Sequence, residues 1–221
     1  MTRTQFVAVA LLSLTFSAPL GAQRPGRVLA GRRGQPTQSQ AASRVTLAFQ
    51  GRRREYLLHV PTRPNGALLL AFHGGGETPE NQEEISGFDA LSDREGFIVA
   101  YPAGIDHSWA DGRGTTAADR QHIDDVGFTR AVVADIARSH RVDSTRVYAT
   151  GPSNGGIFVS RLGCDASDLF AGIAPVIGTI ASALTPQCHP ARHLTVVGIQ
   201  GVADPVVPFD GGDVGGSIEN A

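Results

Sequence analysis

Short apolar runs spaced along the chain constrain its fold more than any other feature. Residues 67–72, 97–101, 146–150, 171–176 and 194–200 are each dominated by aliphatic and aromatic side chains, without the polar alternation of a half-exposed strand. Such runs read as strands buried on both faces. Between them lie segments with helical spacing. Residues 85–94 form one; 124–138 form another, with Val126, Phe128, Val132, Val133 and Ile136 on one face; 154–162 form a third. Residues 44–50 and 54–60 alternate around Gly51 and read as a hairpin. Buried strands alternating with helices predict an α/β fold, a mainly parallel sheet flanked by helices. A length of 221 residues suits one such domain. With 41% hydrophobic and 18% charged residues, a coiled coil and a wholly disordered chain are excluded.

The charge is lopsided. All 19 basic residues are arginine, and nine of them precede Glu55, a stretch without any acid. The remainder holds 10 arginines against 21 acids, a net of -11. An acidic body argues against nucleic acid as a partner. Arg3, an apolar run over 6–16 and small residues up to Ala22 read as a signal peptide, residues 1–22. That run is too short to span a bilayer. The expectation is a secreted protein, extracellular or periplasmic, with no stable membrane insertion; an uncleaved anchor is the alternative. Residues 23–44 read as a flexible leader, and 45–221 as the folded domain. The only cysteines are Cys164 and Cys188. In an oxidising compartment such a pair tends to bond; two buried thiols are the alternative. No ligand spacing supports a metal.

Three segments carry chemistry. Gly151-Pro152-Ser153-Asn154-Gly155 follows one buried strand and precedes a helical stretch, the context a nucleophile elbow requires. The turn is so tight that side chains two residues either side of Ser153 would collide with neighbouring elements. An ordinary turn with Ser153 as helix cap is the competing reading. His73-Gly74-Gly75-Gly76 closes the run 67–72. A turn there offers backbone N–H groups to a developing oxyanion, Gly75 from this turn and Asn154 from the elbow. His73 itself reads as a brace for that loop more than as a catalytic group, at the edge of the substrate pocket. Asp204 follows the run 194–200, on the same sheet edge as Ser153, where an acid orienting a catalytic histidine belongs; an Asp-Pro turn is the plainer reading.

Taken in order, His73-Gly-Gly-Gly, Trp109 with Asp111-Gly-Arg113-Gly114, Asp124-Asp125-Val-Gly-Phe128, Gly151-Pro-Ser-Asn-Gly-Gly156 and Gly201-Val-Ala-Asp-Pro-Val-Val-Pro208 resemble the secreted poly(3-hydroxybutyrate) depolymerase and feruloyl esterase family. They are similar also to family-one carbohydrate esterases. The resemblance covers roughly residues 45–214. It implies an α/β-hydrolase fold and ester hydrolysis by a Ser-His-Asp triad, with Ser153 as nucleophile, Asp204 as acid and Cys164 bonded to Cys188. No cofactor or metal is implied.

The sequence departs from that family twice. Pro152 stands where a larger apolar or aromatic residue is usual. More consequentially, the catalytic histidine of this fold follows the aspartate, and no histidine follows Asp204. His107 and His122, in the long loop after Tyr101, are the surrogates on the correct edge. The sequence-level expectation is a domain whose C-terminal part is missing, with the histidine beyond Ala221. Trp109 reads as lining the ester pocket or as a buried anchor, and Arg113 as positioning a carboxylate or the loop. Asp124 and Asp125 read as helix caps. The expected function is a secreted serine carboxylic-ester hydrolase acting on a polymeric or cell-wall ester. A serine peptidase on the same fold and a non-catalytic polymer- or glycan-binding domain are the alternatives.

Overall fold

The computed structural model describes residues 41–220. The expected signal peptide and nearly all of the expected leader lie outside them. The chain enters as a hairpin, β1 (Ser43–Phe49) and β2 (Arg52–His59), joined by the two-residue turn Gln50-Gly51. Ser43, assigned from sequence to the leader, is already paired with Leu58, one residue ahead of the hairpin strand expected from Arg44.

The buried runs become β3 (Leu68–Ala71), β4 (Ile98–Pro102), β5 (Val147–Pro152), β6 (Gly172–Val176) and β7 (Thr195–Val196). With the hairpin they make one sheet in the order β1-β2-β4-β3-β5-β6-β7. The first two pairings are antiparallel and the rest parallel. Helices supply the crossovers: α1 (Pro79–Ser86), α2 (Phe88–Glu95), α3 (Ala117–Arg120), α4 (Asp125–Ser139) and α5 (Asn154–Asp165). This is the α/β architecture expected from the alternation of buried strands and helices.

Side chains alternate across the sheet and set its two faces. Leu68, Leu70 and Phe72 join Ile98, Ala100, Val147 and Ala149 under Phe128, Val132 and Ile136 of α4 and Phe158, Val159 and Leu162 of α5. On the other face Leu57, Ala71, Val99 and Tyr101 pack with Phe88 of α2. Beyond β3 that second face is open: Leu69, Tyr148, Ala174 and Val197 line a cleft of about 300 Å³, and Tyr148 is 39% exposed. The β7 edge is likewise bare, with Val196, Val197 and Ile199 exposed.

Local differences from the sequence expectation have identifiable causes. The helix expected over 85–94 is two helices, because Gly87 adopts φ 60° and ends α1; its left-handed conformation is cheap only for glycine. The strand expected over 194–200 is a regular ladder at Thr195–Val196 and stays bonded to β6 and the residue after it as far as Ile199, Val197 N donating to Ile173 O, Ile199 N to Pro175 O and Ile177 N to Ile199 O. The loop after Tyr101 holds an unforeseen turn of helix, α3, started by a capping box between Thr116 and Asp119. The glycine-rich tail folds back as a small hairpin, β8 (Gly212–Asp213) and β9 (Ser217–Ile218). Ile218 buries against Ile157, Ala181 and Val207. Cys164 and Cys188 are bonded to each other. Closing a loop of about 25 residues stabilises the fold by about 3.5 kcal/mol in the chain-entropy account.

Candidate active site

Ser153 sits between β5 and α5 with φ 54° and ψ -124°. That is the backbone of the first central residue of a II′ turn, a region glycine fills and other residues enter at a cost. Its hydroxyl makes no capping bond to α5, so the helix-cap reading is not what the turn shows. The elbow is held on both sides. The Ser153 amide donates to Val176 O of β6, and Ser153 O accepts from Ile157 N. The flanking glycines are required by contact: a Cβ on Gly151 would stand 2.6 Å from Phe72 O, and one on Gly155 2.6 Å from His73 O. The turn is therefore pressed against the end of β3, where the His73-Gly-Gly-Gly segment begins.

That segment is held by several bonds. The Gly74 amide donates to Glu77 Oε2 at 3.0 Å, and the Gly76 amide to His107 O at 2.8 Å. The amides of Gly75 and Asn154 have no acceptor among the described residues. The two lie side by side, since a Cβ on Gly75 would be 3.5 Å from the Asn154 Cβ. The Asn154 amide is also at the positive end of α5. Two such N–H groups beside a serine can receive an anionic oxygen.

His73 and Trp109 are placed differently from a pocket lining. His73 is 1% exposed and Trp109 is 0% exposed, so neither ring faces a substrate. His73 Nδ1 meets Gly74 O at 2.7 Å, and its Nε2 accepts from the Gly104 amide at 3.0 Å. Burial depresses its basicity, so the ring is the neutral tautomer. Trp109 stacks on Phe158, meets Phe72 edge-on and donates its indole N–H to His73 O at 2.9 Å. Both residues brace the loop, and the buried-anchor reading of Trp109 is the one the packing supports.

The structure also shows what the Asn154 side chain does. Its Oδ1 accepts from Trp109 N at 2.9 Å; its Nδ2 donates to Trp109 O at 3.2 Å and to Asp111 Oδ2 at 2.6 Å. Arg113, left open between two roles, holds the loop: it donates to both oxygens of Asp111 and to Val214 O. Burial pushes the Asp111 carboxyl up and the Arg113 bonds oppose it. Sequence spacing flagged Asp111 and Arg113 only as a pattern. Their roles depend on an asparagine some 40 residues away.

Asp124 caps α4, accepting from Gly127 N at 2.7 Å. Asp125, expected to cap as well, instead forms a buried ion pair with Arg54 at 2.7 Å and accepts from the Ala110 amide at 2.8 Å. The Arg54 guanidinium lies 3.7 Å over the Phe128 ring. Arg54 gave no sequence signal beyond its place in a strand.

Asp204 lies beyond β7, on the C-terminal edge of the parallel strands and two strands from Ser153, a lateral offset of about 10 Å. Its Oδ1 accepts from the amides of Val207 and Val206 at 2.9 and 2.8 Å, which hold the carboxyl below the usual range. No histidine is among its partners. His107 Nδ1 meets Glu77 O at 3.0 Å, and His122 lines a separate small pocket with Gln50, Arg52 and Arg54. The fold thus gathers Ser153, Asn154, Gly75, His73 and Trp109, and brings no imidazole to Asp204. An apolar cleft of about 470 Å³ between α5, β6 and β7 does not include Ser153. Among the described residues no cluster of His, Cys, Asp and Glu could hold a metal, and no helix is long and apolar enough to cross a membrane.

No family profile matches the chain. A protein named "Putative esterase NocK", from Nocardia uniformis subsp. tsuyamanensis, is 39% identical over 166 residues, 73% of this chain and 48% of its own length. Feruloyl esterase B of Piromyces equi is 35% identical over 151 residues, 66% of this chain and 27% of its own. The chain spans under half the length of these two relatives. Among solved structures, a thermostable esterase superposes with a TM-score of 0.59 at 18% identity, over 77% of this chain and 49% of the other. The poly(3-hydroxybutyrate) depolymerase LpqC of Bordetella parapertussis does so with 0.51 at 21%, over 62% and 52%. At such identities the structural likeness speaks to fold alone. The fold is that of the α/β hydrolases, and over most of its length the chain is similar in sequence to proteins named as esterases.

Proposed function

We propose that this domain is the nucleophile-bearing part of a secreted serine carboxylic-ester hydrolase acting on esters of a polymer or of plant cell-wall material. The observation that carries the reading is the elbow. Ser153 is held at positive φ, pressed on the His73-Gly-Gly-Gly turn, next to two amides that no acceptor among the described residues takes. In the proposed reaction Ser153 Oγ attacks the ester carbonyl carbon. The carbonyl oxygen takes the negative charge and accepts from the Gly75 and Asn154 amides. An imidazole accepts the serine proton and passes it to the departing alcohol, and water then releases the acid. Asp204 Oδ1 is occupied by two amides, so Oδ2 is the oxygen that would orient that imidazole. The polymer or cell-wall substrate rests on the named relatives, feruloyl esterase B and a bifunctional acetylxylan esterase/xylanase of Neocallimastix patriciarum. Secretion is supported by the bonded cysteine pair.

Fluorophosphonate labelling followed by peptide mass analysis tests the reading. In a chain extended to supply the histidine that should follow Asp204, a single adduct on Ser153, lost in Ser153→Ala, is expected; labelling that survives the substitution overturns the reading. A serine without its base keeps its proton. The 221-residue chain should therefore turn over p-nitrophenyl acetate far below the roughly 1 s⁻¹ of an ordinary enzyme. Turnover at that rate, with loss on His107→Ala or His122→Ala, would instead name a base within these residues.

A further inference from the structure

We propose that Asp111 and Arg113 are positioning residues that fix the Gly75 and Asn154 amides relative to one another, acting through Trp109 and the Asn154 side chain. The inference rests on the reading of those amides as oxyanion donors. The geometry supplies the link. Trp109 is joined to both donors at once: its indole N–H holds His73 O, at the root of the Gly75 turn, while its own amide and carbonyl are held by the Asn154 carboxamide. Trp109 is fully buried between Phe72, His73 and Phe158, so it cannot shift without moving the core.

Asp111 then decides which way the Asn154 carboxamide points. Its Oδ2 accepts from Asn154 Nδ2 at 2.6 Å and from Arg113 Nε and Nη2 at 2.9 and 2.7 Å; its Oδ1 accepts from the Arg113 amide at 3.1 Å. Every partner is a donor, so only an ionised carboxylate fits; a carboxamide at 111 would set N–H groups against N–H groups. The second anchor lies in the tail. Arg113 Nη1 donates to Val214 O at 2.5 Å, and Gly216 packs so closely that a Cβ there would stand 2.6 Å from the Arg113 Cβ. A strained residue such as Ser153 keeps its backbone only where its surroundings over-determine it. Asn154, the next residue, is gripped at both ends of its side chain. Rotating the peptide that joins them would break those bonds.

The test uses the chain extended to supply the histidine that should follow Asp204, with Asp111→Asn and Arg113→Lys. Arg130→Ala, at an exposed ion pair with Asp168, serves as the remote control. The first readout is the rate at which Ser153 takes a fluorophosphonate, measured well below each melting transition. The Oγ–P bond forms as P–F breaks, fluoride and the serine proton leave to solvent, and charge builds on the phosphoryl oxygen that the amides must meet. The second readout is the ¹H–¹⁵N resonance of the Trp109 indole, the single tryptophan of these 221 residues. Asp111→Asn should slow labelling by about tenfold or more, as a misplaced donor does. Arg113→Lys should slow it less, and both should move the indole resonance while Arg130→Ala leaves rate and resonance as they are. Folded variants that label at the parental rate overturn the proposal. If the parent does not label at Ser153, the nucleophile reading fails instead. The clamp is then decided by hydrogen exchange of the Asn154 amide, faster in both variants if it exists and parental if it does not. Should Asp111→Asn fail to fold, Arg113→Lys carries both measurements.

Discussion

Replacing Ser153 by alanine and by glycine separates the strain of the elbow from the chemistry of its hydroxyl. Both substitutions remove Oγ, which is half-buried and makes no bond to the helix it precedes. Both keep the amide bond to Val176 O and the carbonyl bond from Ile157 N. They differ in the backbone. Alanine inherits φ 54° and ψ -124° with its Cβ in place; glycine adopts the same angles freely. A non-glycine residue held in so sparsely populated a region costs roughly 1–3 kcal/mol. Glycine gives back about 0.5–1 kcal/mol through the entropy of the unfolded chain. Ser153→Gly should therefore be more stable than Ser153→Ala by about 0.5–2 kcal/mol. For a chain of this size that is roughly 1–8 °C in melting temperature. Ser153→Ala itself should lie within about 0.5 kcal/mol of the parent. Differential scanning calorimetry, with urea unfolding as a second measure, reads all three proteins. A glycine variant that melts at or below the alanine variant would refute the strain argument. The elbow would then be a relaxed turn that any small residue fits.

His73 makes a pH prediction. Its Nε2 accepts from Gly104 N, so protonation sets N–H against N–H, and burial opposes the charge as well. The folded state therefore binds this proton less readily than the unfolded chain, whose histidine titrates near 6.5. The stabilising contribution is complete above about pH 6.5 and is lost as pH falls towards the depressed folded value, by at most about 1.4 kcal/mol per unit. Urea melts from pH 7.5 to 5 should show that slope, flattened in His73→Asn; an identical slope in the variant removes His73 from the account. The Arg54–Asp125 pair is 2% and 0% exposed. Truncating either partner to alanine should cost about 3–5 kcal/mol, because the other charge stays buried. Replacing both with apolar residues should cost much less than the two losses together. Strict additivity in denaturant unfolding would show that the two charges do not depend on each other.

Much of the fold was legible because it depends on nearest neighbours in sequence. A run such as 67–72 can bury two faces only inside a sheet, and the spacing of Phe128, Val132 and Ile136 makes one helical face. Gly151 and Gly155 announce the elbow because no residue with a Cβ fits between β5 and Phe72 or His73. The weaker readings failed where one or two residues overrode local pattern: Gly87 splitting the helix expected over 85–94, and Thr116 with Asp119 starting a turn of helix in the loop after Tyr101.

Within the site, sequence pointed to Ser153 by its turn, to Asn154 and Gly75 by their amides and to Asp204 by its place after a strand. The structure sets Ser153 at positive φ beside the His73-Gly-Gly-Gly turn; the catalytic roles of the four are the proposal that labelling tests. Sequence left open the residues whose job is set by what lies opposite. Trp109 read equally as pocket wall or buried anchor and His73 as a brace at the pocket's edge; the fold buries both as braces. Asp125 sits where a cap would sit, yet Arg54 arrives from another strand to claim it. The order Asn154, Asp111, Arg113, Val214 spans more than a hundred residues in its longest step. A carboxylate's partners are chosen by direction and distance over a few ångströms, and only the folded chain sets these.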